Sequence, residues 1–229
     1  MKKGSLLDFL TLPDRYEMRL SGSGGQGMML AATILAEAIG ADPARNVTQT
    51  KSYGPEARGG ASKADLVVSP GKIYYPKALK LDLLLAMTQE SLDKYYPDLK
   101  EGGTLIVDET LVSTVPAESY FSVPLTQLAR EEVQNIVVAN MIALGAIAAI
   151  TEVVPAHTLL EAVLARAPRG TEEANRHAVE VGLREGLAHK ERGPVSAVAA
   201  LKTKAKPKSA AKAASAILFP QLQCEQGLT

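Results

Sequence analysis

A chain of 229 residues with 46% apolar side chains can bury one sizeable core, and its 25 basic and 25 acidic residues leave a formal net charge of zero. That balance excludes a charge-driven disordered chain and gives no sign of a nucleic-acid binder. The single cysteine, Cys224, excludes an internal disulfide, a four-thiolate zinc site and an iron–sulfur cluster held by this chain alone, and it fits a reducing cytoplasm.

The N-terminal MKKGSLLDFLTLP begins like a signal peptide, but Asp8 interrupts a short apolar stretch and no small-residue cleavage site follows. Residues 1–15 therefore read as an ordinary extension. The chain then alternates apolar runs with turn signals. Residues 16–21 predict a strand, and residues 28–39, apolar nearly all round, predict a buried helix stopped by Gly40. Strands are expected at 46–52 and 63–69, with a glycine- and proline-rich loop, SYGPEARGGAS, between them. Gly71 turns the chain into a short strand at 73–75.

Residues 81–87 and 104–108 are short continuous apolar runs on either side of an expected helix at 89–96, the pattern of a parallel sheet buried on both faces. A further strand is expected at 120–123, and helices at 126–132, 136–150, 156–165 and 171–188. The helix at 136–150 is the most apolar segment, but it contains Asn140 and falls short of the roughly 20 residues that cross a bilayer, so it is expected to be buried in protein. From Gly193 the composition shifts to Ala, Lys, Ser and Pro; residues 190–229 hold seven basic and two acidic side chains, a +5 tail on a −5 body. The fold class is α/β: a Rossmann-like, mostly parallel sheet flanked by helices, in a domain over residues 16–189, with a helical C-terminal part and a mobile basic tail over 190–229.

Gly22, Ser23, Gly24, Gly25, Gln26 and Gly27 (GSGGQG) lie between the first strand and the first helix and match the GxGxxG turn of dinucleotide-binding folds. In such a turn the first glycine makes a sharp reversal, the second leaves bare backbone for a ligand, and the third lets helix and strand touch; free amides at the helix start attract an anion. A nicotinamide or flavin site also needs an acid about 20 residues on to hold the ribose. That neighbourhood reads Arg45, Asn46, Val47, Thr48, Gln49, and Asp42 comes too early. A phosphate- or carboxylate-bearing ligand is favoured over a dinucleotide, and a purely packing role for the glycines stays open.

In the second loop, Gly54-Pro55 and Gly59-Gly60 hold Glu56 and Arg58 on a turn where strand ends usually carry ligands. Arg58 can pair bidentately with a phosphate or carboxylate and Lys51 can add charge; a Glu56–Arg58 contact within the loop is the alternative. His157, His177 and His189 lack metal-ligand spacing, and Asp108 and Glu109 at a strand end read as capping or solvated acids. No GxSxG, HExxH or GxxxxGK[ST] motif is present. The tail lysines lack interleaved aromatics, so no nucleic-acid role is assigned.

Taken together, GSGGQGMMLAATILAEA, VTQTKSYGPEARGGASKADLVVS, LDLLLAMTQESLDKY and NIVVANMIALGAI resemble the gamma subunit of 2-oxoacid:ferredoxin oxidoreductases across about residues 18–186, most closely that of the 2-oxoglutarate enzyme. The resemblance implies a multi-subunit enzyme that decarboxylates a 2-oxoacid on thiamine diphosphate with magnesium, transfers the acyl group to coenzyme A and passes electrons through iron–sulfur clusters to ferredoxin. Alpha and beta subunits, and a ferredoxin-like delta subunit, are the implied partners, and they carry the cofactors, since this chain also lacks a thiamine-anchoring GDG-type turn. The resulting expectation is a cofactor-proximal face built from Gly22–Gly27 with Lys51, Tyr53, Glu56, Arg58, Gly59 and Gly60. It would press on the catalytic subunits near the channel by which coenzyme A arrives. A stand-alone NAD(P)-linked oxidoreductase and a non-catalytic scaffold, for which the small-residue run ANMIALGAIAAI suits either subunit contact or an internal core, are the competing readings.

Overall fold

The computed structural model describes residues 14–52 and 60–196. In chain order these form β1 (Tyr16–Ser23), α1 (Met28–Gly40), β2 (Asn46–Ser52), β3 (Ala61–Ser69), β4 (Leu81–Ala86), α2 (Gln89–Tyr95), β5 (Leu99–Asp108), β6 (Ser119–Val123), α3 (Leu125–Glu131), α4 (Ala139–Thr151), α5 (Ala156–Arg166), α6 (Glu172–Arg192) and β7 (Val195–Ser196). One seven-stranded sheet runs in the order β2-β3-β1-β4-β5-β6-β7. β1, β4, β5 and β6 pair in parallel, β3 lies antiparallel between β1 and β2, and β7 closes antiparallel on β6. Five of the seven strands thus point the same way, as the alternating apolar runs lead one to expect.

Side chains alternate across the sheet, as a period of two requires. Leu83 and Leu85 of β4 enter the larger core, with Met18, Leu20, Leu66 and Ile106 of neighbouring strands and the inward sides of α1, α4 and α5. Leu84 points the other way, into a smaller core with Val67, Leu105, Val107 and Leu92 and Tyr95 of α2. One face of the sheet is therefore deeply covered by helices, while the other carries α2 and the segments that contribute Ala78, Val112 and Ala117.

α4 is the buried centre of the thicker layer: every residue from Ala139 to Ile150 is buried. It lies against α6 through small residues. A Cβ at Gly182 would run into the Ile142 carbonyl, and one at Gly145 would meet the Val179 carbonyl and, at 2.7 Å, the Leu183 amide. The run ANMIALGAIAAI is thus an internal core, and it gives no support to a scaffold surface.

Three expectations are corrected. No strand forms at 73–75, because the Tyr75 carbonyl accepts from the Arg15 guanidinium at 2.9 Å and Pro76 follows it, so the local backbone bonds to a side chain instead of a ladder. Residues 136–138 form a separate 3-10 turn before α4, leaving Ile136 and Val137 exposed. α6 continues to Arg192 and Val195–Ser196 pair with β6, so the first residues of the expected tail are part of the fold. Residues 1–13 and the rest of the tail lie outside the described residues; among those described, no helix is long and apolar enough to cross a membrane.

Candidate functional site

The two glycine-rich segments meet at the C-terminal edge of the sheet. β1 ends beside the start of β3, with Gly22 opposite Ser62 and Ser23 opposite Ala61. Just past that pairing the Gly24 amide donates to the Gly60 carbonyl at 3.3 Å, and the Ser62 hydroxyl donates to the Gly22 carbonyl at 3.2 Å. The returning end of the loop is held again at Ala61, whose amide donates to Glu90 at 3.1 Å and whose carbonyl accepts from the Tyr95 hydroxyl at 3.2 Å. Burial pushes the Tyr95 hydroxyl up in pKa, against the pull of nearby Arg19, so it keeps the proton it donates. Lys51 and Ser52, exposed at the end of β2, mark where the loop departs. Tyr53, Glu56, Arg58 and Gly59, all expected at this rim, lie outside the described residues.

The turn itself is tightly wound. The Ser23 amide donates to the Gln26 side chain at 2.8 Å, folding that amide over Gly22, where a Cβ would strike Gln26 and come within 3.1 Å of the Met87 Cβ. Gly25 and Gly27 have φ of 96° and 73°, left-handed conformations that favour glycine. Gly25 opens onto space with nothing within 4 Å of an added Cβ. Gly27 is the N-cap of α1, with no side-chain cap and no acid in the first turn of the helix, which leaves the positive end of the helix dipole uncompensated by the helix's own side chains.

Gly27 also shows why its position must be small, and the reason differs from the expected helix–strand contact. A Cβ there would collide with the side-chain amide of Asn140 on α4. Asn140 donates to the Gly27 carbonyl at 3.4 Å, while its own Oδ1 is buried without a hydrogen-bond partner. The sequence offered one signal for this residue: a lone side-chain amide inside an otherwise apolar helix, which buried polar-group accounting marks as unusual.

Sheet order removes the dinucleotide reading. In a dinucleotide-binding fold the strand after the first helix lies parallel beside β1 and presents the ribose acid. Here antiparallel β3 occupies that place and β2 lies one strand further out. The Gln49 side chain of β2 is turned onto α1, where it accepts from Thr33 at 3.1 Å. Asp108 is fully buried and accepts from the Thr110 amide at 3.1 Å, the Thr126 amide at 3.3 Å and the Thr126 hydroxyl, the capping role its strand-end position implied. The histidines sit on α5 and α6, and among the described residues no three His, Cys, Asp or Glu side chains are grouped to hold a metal.

A family model for pyruvate ferredoxin/flavodoxin oxidoreductase matches residues 17–185, spanning β1 to most of α6. The chain belongs to that family. The 2-oxoglutarate synthase subunit KorC of Methanocaldococcus jannaschii is 46% identical over 165 residues, covering 70% of this chain and 88% of its own length. A crystal structure of the gamma subunit of a keto/oxoacid ferredoxin oxidoreductase from Geobacter sulfurreducens superposes with a TM-score of 0.70 at 43% identity, over 77% of this chain and 99% of that one. The fold alone recurs, at 22% identity and a TM-score of 0.68, in 32% of a longer chain of a Magnetococcus marinus 2-oxoglutarate:ferredoxin oxidoreductase whose structure holds 2-oxoglutarate, coenzyme A and succinyl-CoA. In this gamma-type domain the described part of that sheet edge, Gly22–Gly27 with Gly60–Ser62, falls within two of the four stretches that carried the resemblance in the sequence.

Proposed function

We propose that the chain is the gamma subunit of a 2-oxoglutarate:ferredoxin oxidoreductase in the cytoplasm, and that its glycine rim faces the catalytic subunits beside the path of coenzyme A. The companion alpha and beta subunits, with a ferredoxin-like chain, hold thiamine diphosphate with magnesium and the iron–sulfur clusters and pass electrons to ferredoxin. One cysteine in 229 residues is too few thiolates for a cluster. The oxidation and decarboxylation are the cofactors' chemistry; this subunit's part is to shape and charge the approach to them.

The hydrogen bond from Gly24 to Gly60 carries the reading. It sets the uncapped start of α1 against the end of the loop that contains Arg58, with Lys51 at the loop's other root. The backbone amides at the start of α1, the Lys51 ammonium at the root of the loop and the positive charge that Arg58 brings to the loop sequence suit the phosphates of coenzyme A, and the bare glycines let a ligand approach the backbone. The described rim is glycine backbone with Ser23, Gln26 and Lys51, and the contribution assigned to it is binding and positioning, in how tightly the acyl acceptor is held.

The test is the Michaelis constant for coenzyme A of the assembled enzyme carrying Arg58→Ala or Lys51→Ala. Loss of one charge-assisted contact raises it on the order of tenfold, with the constant for the oxoacid unchanged. An unaltered coenzyme A constant in an intact assembly removes the ligand-facing part of the proposal.

A further inference from the structure

At the opposite edge of the sheet, the segment 70–80 presents six side chains outward with no regular structure of its own. Tyr74 is 85%, Leu79 61% and Tyr75 47% exposed, and Lys72, Lys77 and Lys80 stand among them with no acidic residue in the segment. Such a loop would ordinarily be expected to wander, but this one is fastened from below. Arg15 donates to the carbonyls of Tyr75 and Lys77, each at 2.9 Å. Glu17, buried at the start of β1, accepts from the amides of Leu79 and Lys80 at 2.6 and 2.8 Å and is itself paired with Arg15 at 2.6 Å. The Asn46 side chain holds the Gly71 carbonyl at 3.2 Å.

We infer that this loop is a second docking surface, preorganised for an acidic face of a companion chain in the same oxidoreductase. Fixing the backbone in advance removes ordering entropy from the binding step. Exposed tyrosines beside an exposed leucine are the side chains that fill pockets at the centre of protein interfaces, and three lysines around them select a negative rim. A protein partner is favoured over a polyanion or an anionic membrane on two grounds. Leu79 gains nothing from a hydrated polyanion, and the relatives of this chain are subunits of oxidoreductases, which supplies a companion protein rather than a membrane as the apolar surface for Leu79 and the tyrosines. The segment lies about seven strand residues from the glycine rim along β1, roughly 20 Å at 3.3 Å per residue, so the two faces can be engaged at once.

The inference rests on the reading of the chain as a complex subunit, and the experiment separates the two. The full chain, as wild type or with Lys72→Glu, Lys77→Glu and Lys80→Glu together, or with Tyr74→Ser alone, is co-expressed with the companion subunits. Dissociation of this chain from the purified complex is measured at low and high salt, and the melting temperature of each isolated chain serves as the folding control. The triple variant is expected to dissociate at least about tenfold more readily, Tyr74→Ser to do so without altering salt dependence, and the wild-type complex to loosen with salt. A complex that forms and dissociates identically with all variants overturns this inference alone. A wild-type chain that joins no complex overturns both readings. Loss of binding to an RNA oligonucleotide or to phosphatidylserine vesicles, with the complex unaffected, assigns the lysines to a different partner and also overturns it.

Discussion

Glu17 shows how a single buried carboxylate can organise a surface. Its burial would raise its pKa, but the Arg15 guanidinium and the amides of Lys80 and Leu79 outweigh burial and hold it below the ordinary value of 4.5. A carboxylate whose pKa is lower folded than unfolded contributes stability that is complete above its unfolded pKa and lost as the pH falls through the folded one. Wild type is therefore expected to exceed Glu17→Gln by roughly 1–3 kcal/mol at neutral pH. That margin should shrink as the pH drops below 4.5 in parallel thermal melts of the two proteins; a margin independent of pH would mean the bonds to Leu79 and Lys80 do not depend on the charge. Residues of this kind were poorly legible in the sequence. Glu17 reads as one acid in a strand, Arg15 as part of an N-terminal extension, and Asn140 as an interruption in an apolar helix, because each acts through partners more than 60 residues away. The glycine segments were legible, since few residues other than glycine tolerate the backbone of Gly25 and Gly27. Their junction through Gly24 and Gly60 was not, because it depends on how β1 and β3 pair.

At the scale of elements, α4 and α6 touch where neither has side chains to separate them. The sequence announced a buried helix around Asn140, and the structure shows that burial was complete and internal. What periodicity could not show is that Gly182 and Gly186 of α6 are the residues that let the helices close, because α6 otherwise reads as a charged, exposed helix. Gly182→Ala forces a methyl group into the Ile142 carbonyl, and since backbone cannot step aside as a flexible side chain can, a loss of about 1–3 kcal/mol is expected despite alanine's better helix propensity. Chemical denaturation of wild type and variant measures it; an equally stable or stabilised variant would show that the two helices are free to separate. The remaining differences have similarly local causes. The expected strand at 73–75 fails because Arg15 takes its carbonyl, and β7 is two residues long, too short to leave any periodic signal. An apolar run marks a strand without stating its direction, so antiparallel β3 could not be told from a parallel neighbour.

Over the whole molecule, a mostly parallel sheet supports a rim of bare backbone at one edge and a fastened aromatic, lysine-bearing loop at the other. Both edges are proposed contacts within a larger enzyme, a reading supported by family membership and by a polypeptide with one thiol. The inserted antiparallel strand β3 occupies the place where a dinucleotide's ribose would be read, which favours the proposal that companion chains carry the redox chemistry. The most direct measurement is an oxygen-free activity assay with 2-oxoglutarate, coenzyme A and an electron-accepting dye, run on the isolated chain and on the complex purified with its companions, with iron and thiamine determined in both. The account predicts that only the complex contains iron and thiamine and reduces the dye. Dye reduction coupled to oxoacid consumption by the isolated chain would contradict it.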